Sequence, residues 1–121
     1  MFQVEADKSE NLLVLRFSRH VKPEEAKQCG EKVAAMVADL QPGFRLLTDL
    51  SGLESMELAC TAYIKRTMDL CNKKGVAKVV RVVPDPHKDI GFNILSLFHY
   101  RYGIPIVTCE NAEEAMKVLA A

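Results

Sequence analysis

The sequence carries no surplus of either charge: sixteen Lys and Arg balance sixteen Asp and Glu. A dedicated DNA- or RNA-binding domain is excluded on that ground, because phosphate contacts require an excess of basic side chains. It also lacks any Cys-x-x-Cys pair. Cys29, Cys60, Cys71 and Cys109 are scattered, and His20, His87 and His99 stand at no zinc-ligand spacing to them. The expectation is therefore no metal, no cofactor, and four small buried residues in a reducing compartment. No apolar run approaches the ~20 residues of a membrane span. Residues 1–10 have neither the apolar core of a signal peptide nor the Arg-rich character of a transit peptide. A cytoplasmic protein with no membrane contact is expected. Internal repeats, low-complexity segments and linkers are missing too.

What is present is an ordinary globular composition: 121 residues, 49% hydrophobic and 26% charged. This suits one domain spanning 1–121, able to bury roughly 65% of its unfolded surface. The neutral balance gives little colloidal repulsion, so self-association through an apolar face is open to it.

Along the chain, Phe2, Val4 and Ala6 alternate with polar residues, and Leu12 to Phe17 form a second apolar run after a polar turn. An antiparallel hairpin is expected. Pro23 suits the first position of a helix, Glu24 and Glu25 suit its first turn, and Ala26, Cys29, Val33, Met36, Val37 and Leu40 recur at helical spacing up to Pro42-Gly43. Phe44 to Leu50 reads as the central strand, followed by a tight turn and a helix from about Met56 to Lys74, closed by Gly75. Val76 to Val83 is β-branched and reads as a strand buried on both sides, interrupted by Arg81. The basic run Lys65, Arg66, Lys73, Lys74, Lys78 and Arg81 reads as a solvated face. A third helix is expected from about His87 to Tyr102, then a short strand from Ile104 to Cys109. A last helix is capped by Asn111 with Glu114 three residues on, its core stripe formed by Ala112, Ala115, Met116 and Leu119. The order β-β-α-β-α-β-α-β-α predicts an α/β fold: a single mixed, mostly parallel five-stranded sheet with four helices and right-handed crossovers.

Asp49 is the first charged residue of the central strand and is placed at its C-terminal edge, where open α/β sheets dock ligands. Its company decides its role. The acidic pair, hydroxyl and Lys of a phospho-accepting receiver are missing. Ser51-Gly52 alone is too short for a phosphate loop, and no Gly-x-Ser-x-Gly elbow exists. No Ser/His/acid set is suggested by position. The residues by themselves make Asp49 a local cap on backbone N–H groups near Ser51 and Gly52. An acid/base pair with His87 is a minor alternative.

Asp49-Leu50-Ser51-Gly52-Leu53, followed by Met56-Glu57 and a helix, resembles the signature of STAS domains of the anti-sigma factor antagonist type. Their pattern runs Asp-Leu-Ser-Gly-Val, two variable residues, an aliphatic residue, then Asp-Ser-Ser/Thr-Gly at the helix start. Asn111-Ala112-Glu113-Glu114-Ala115 resembles the entry to that family's last helix, and the element order agrees. The departures are specific. Glu57 stands in place of Asp, Leu58 and Ala59 in place of the hydroxyl residues, and Cys60 in place of Gly. The serine whose phosphorylation switches family members off their partner is thus replaced by residues that accept no phosphate. Ser55 and Thr61 are out of register with it.

The resemblance implies a non-catalytic regulatory domain that binds a protein partner, an anti-sigma factor or a kinase-like protein, through Asp49, Ser51, Gly52, Ser55, Glu57 and Leu58, without the phosphorylation switch. A small-molecule or nucleotide-binding module at the sheet edge near Asp49 is the alternative. On the expected third helix, Ile90, Ile94, Leu97 and Phe98 form one apolar stripe. Phe92, Leu95, His99 and Tyr102 form a second, either an added core contact or an interface for a homodimer or partner.

Overall fold

The computed structural model describes residues 1–85 and 104–121. Its elements are β1 (Phe2–Asp7), β2 (Leu12–Val21), α1 (Pro23–Val37), β3 (Arg45–Met56), a 3₁₀ turn (Leu58–Cys60), α2 (Thr61–Lys73), β4 (Lys78–Val82), β5 (Ile106–Cys109) and α3 (Ala112–Ala120). The strands lie in one sheet in the order β1-β2-β3-β4-β5. β1 pairs antiparallel with β2, and every other pair is parallel. The mixed, mostly parallel α/β sheet expected from the sequence is therefore present. Three α-helices lie among the described residues. The further helix expected over 87–102 falls outside them, with His87, Phe92, Leu95, His99 and Tyr102.

Alternation along the strands feeds two cores. Leu13, Leu15, Phe17, Leu46, Leu50 and Val79 face Ala26, Cys29 and Val33 of α1 and Ile64, Met68 and Cys71 of α2. On the opposite face Val14, Leu47, Val80, Val82 and Cys109 meet Ala115 and Leu119 of α3. All four cysteines are buried free thiols. α1 and α2 approach closely at Gly30, where a Cβ would lie 2.9 Å from the Thr67 hydroxyl. Asn111 caps α3 by accepting from the Glu114 N–H at 2.9 Å, as the sequence implies. Met116 is exposed rather than part of the core stripe, since the nine-residue helix turns only Ala115 and Leu119 fully inward.

The basic run is not a single solvated face. Arg81 is 2% exposed, inside the sheet beside its register partner Thr48. The Lys78 ammonium donates to the Val118 carbonyl at 2.7 Å.

β2 and β3 are both longer than the apolar runs that mark them. β4 pairs with β3 only as far as Asp49↔Val82, so Asp49 lies where the described pairing with β4 stops, but β3 itself does not stop there. It continues to Met56, paired with Ser18–Val21 of β2. No tight turn exists at Ser51-Gly52, and α2 begins at Thr61 rather than Met56. Two irregularities accommodate the polar residues. Asp49↔Arg16 is followed by Gly52↔Ser18, and Leu53↔Arg19 by Ser55↔His20, so β3 carries one extra residue at each step. Such bulges twist a strand and re-aim its side chains. Gly52 permits the first of them: a Cβ there would stand 3.2 Å from the Ser18 Cβ. Opposite the second, Arg19 adopts φ 58°, a left-handed conformation unfavourable for a residue with a Cβ.

Candidate functional site

The residues singled out in the sequence separate into two neighbouring groups. Asp49, Ser51 and Gly52 line a cleft of about 220 Å³ with Gln3, Arg16 and Ser18. Asp49 accepts from the Ser51 N–H at 2.9 Å and from the Ser51 hydroxyl at 2.6 Å, so the local cap read from the sequence is formed, in an extended strand rather than a turn. Its other carboxylate oxygen lies 3.6 Å from the Arg16 Nε, and Arg16 in turn reaches Glu5 on β1 at 3.6 Å. The Asp49 carboxylate is thus occupied by a hydroxyl, an amide and a guanidinium, all from β2 and β3 themselves. The cleft is also smaller than the roughly 300–1,000 Å³ usual for small-molecule sites.

The second group lies at the far end of the β2–β3 extension. Ser55 is set opposite His20 by the second bulge. The Ser55 hydroxyl is hydrogen-bonded to His20 Nδ1, and His20 Nε2 lies 3.1 Å from a Glu57 carboxylate oxygen. His20 and Glu57 are each 46% exposed at the side chain. The sequence reading missed this array. It ended β2 at Phe17 and β3 at Leu50, whereas Val21, an apolar residue four positions beyond Phe17 and buried in the same core, was the signal that β2 runs on. Leu58 follows at the tip, 83% exposed. Thr61, the other hydroxyl near the helix start, donates to the Leu58 carbonyl at 2.6 Å. Cys60 is wholly buried behind it, and desolvation, with the nearby Glu57 carboxylate, pushes its thiol pKa up.

No group of three or more His, Cys, Asp or Glu side chains arranged to hold a metal occurs among the described residues. Nor, among them, is any helix long and apolar enough to cross a membrane.

This is the fold of the STAS anti-sigma factor antagonists, and solved structures share it over the whole chain. The anti-sigma factor antagonist SpoIIAA in its unphosphorylated form aligns with a TM-score of 0.67 at 15% identity, over 100% of this chain and 99% of that one. An uncharacterised Shewanella loihica protein with a SpoIIAA-like fold gives 0.68 at 15% identity, over 98% and 93%. A STAS domain protein from Planctomyces limnophilus gives 0.67 at 15% identity, over 99% and 98%. No protein-family model matches the sequence, and neither does any curated protein.

Proposed function

We propose that the chain is a single-domain, cytoplasmic, non-catalytic regulator of the anti-sigma factor antagonist kind. It docks an anti-sigma factor or a kinase-like protein through the lip from Asp49 to Leu58, and it works without a serine switch. The observation that carries this reading is Leu58. A leucine 83% exposed, at the point where the longest strand passes to α2, is an apolar anchor without a pocket of its own. Anchors of this kind dominate the energy of protein interfaces when a partner buries them. SpoIIAA is known in both unphosphorylated and phosphorylated forms. Here Leu58 and Ala59 fill the positions where the STAS pattern has its hydroxyl residues, so the same lip supports docking that phosphate does not interrupt.

Two measurements test the reading. In pull-downs from the native cell, Leu58→Arg abolishes capture of the partner and Met116→Arg, at an exposed site on α3, leaves it intact; equal capture by both variants rejects the lip. After incubation with a STAS-directed kinase, mass spectrometry finds no stoichiometric phosphate between Ser55 and Thr61. Finding it there rejects the loss of the switch.

A further inference from the structure

The array at the end of the β2–β3 extension has the parts of an activated nucleophile, and docking by itself requires no such chemistry. A hydroxyl, an imidazole and a carboxylate stand in series, Ser55 Oγ to His20 Nδ1 and His20 Nε2 to Glu57 at 3.1 Å. This is the relation of nucleophile, base and orienting acid required for covalent catalysis, recognised by geometry rather than by sequence order. The two ring nitrogens exchange the roles they have in serine proteases, which leaves the proton path the same. Stability alone gives little reason for the array. Half-exposed pairs of this kind contribute little to stability, whereas the left-handed Arg19 immediately before His20 is unfavourable for a residue with a Cβ. Strain beside a reactive constellation is a mark of a functional site.

We infer that Ser55 is an acyl acceptor, taking an acyl group from small activated esters and thioesters with His20 as base and Glu57 as the positioning residue. The Ser55 oxygen attacks the carbonyl carbon and its proton passes to His20 Nδ1. The tetrahedral adduct then expels the alkoxide or thiolate, which leaves as alcohol or thiol with the proton from His20. The product is an ester on Ser55, and no oxidant or reductant is involved. With base catalysis as the source of activation, the gain is on the order of 10²-fold, which suits a slow, stoichiometric modification rather than a fast hydrolase. Ser55 and Glu57 lie in the same lip, but the inference does not rest on the docking reading: acylation of Ser55 is measured on the isolated chain, and partner capture is measured at Leu58.

The probe is p-nitrophenyl acetate with the full chain. The expected result is an acetyl group on the peptide containing Ser55, removable by hydroxylamine as an ester is and an amide is not. His20→Asn should slow formation of that adduct on the order of 10²-fold. Glu57→Gln should slow it as well, and Glu57→Asp should restore part of the rate, which a merely structural role would not produce. The buried thiols do not compete, since burial holds Cys29 and Cys71 at about 12. The altered side chains are on the surface, and unchanged circular dichroism confirms folding. Acetylation confined to lysines or the amino terminus, or a Ser55 adduct that forms equally fast in His20→Asn, overturns the inference.

Discussion

The guanidinium of Arg45, at the start of β3, donates to the carbonyl oxygen of Leu119 at the end of α3, 74 residues away. Its other amino group reaches the Glu10 carbonyl at 2.7 Å. Lys78 on the neighbouring strand donates to Val118. Two cations thus add donors to the last carbonyls of α3, at the negative end of its dipole. Arg45→Met should lower stability by about 1–2 kcal/mol and Lys78→Met by about 1 kcal/mol. Urea unfolding of both variants checks this, with the larger loss expected for Arg45 because it ties three segments together.

Gly30 and Thr67 should be coupled. Alanine at position 30 gains about 1 kcal/mol of helix propensity but brings a Cβ to 2.9 Å from the Thr67 hydroxyl, which is itself held by the Tyr63 carbonyl at 3.0 Å. Gly30→Ala alone is expected to be neutral or destabilising. Combined with Thr67→Ala it should be stabilising, and a double-mutant cycle should return a coupling above about 0.5 kcal/mol.

The interior thiols make the fold sensitive to alkali. Burial raises Cys29 and Cys71 from an ordinary 9.0 to about 12. Above pH 9 the unfolded chain therefore loses protons that the folded chain retains, and stability falls with pH. Each thiol adds up to about 1.4 kcal/mol per pH unit to that slope between pH 9 and 12. In Cys29→Ala the slope from pH 9 to 11 should be shallower, as read from urea midpoints.

Arg19→Gly should raise stability by about 0.5–1 kcal/mol, because glycine adopts φ 58° without the steric penalty of a Cβ. Thermal unfolding checks the sign. Leu58→Arg should leave stability within about 0.5 kcal/mol of the parent, as expected of an exposed side chain, so its effect on capture reports docking and not folding.

Much of the architecture was legible in the sequence because it rests on local signals. Pro23, the alternation of Phe2, Val4 and Ala6, Gly75 after α2 and the Asn111 cap each mark a boundary by their own chemistry. The extension of β2 and β3 was not. Ser51-Gly52 has the composition of a turn, and only pairing with Ser18, a non-local contact, keeps it in a strand. The same contact brings Ser55 to His20, thirty-five residues apart, so the array depends on register that no spacing rule contains. Arg81 was misread for a related reason: its burial depends on neighbours contributed by other elements.

The two bulges in β3 have a consequence for the reading frame of the sheet. Between Arg16 and Val21 β2 advances five residues while β3 advances seven, from Asp49 to Met56. The surplus is even, so inside–outside parity is conserved: Val21 is buried and Met56 packs against the same core. Deleting Glu54 alone would make the surplus odd and exchange the facing of Ser55 and Met56 relative to the rest of β3. Deleting one residue at each bulge would restore the parity. A double deletion less damaging than either single one, read by thermal unfolding, is the signature expected of a strand in which two insertions cancel.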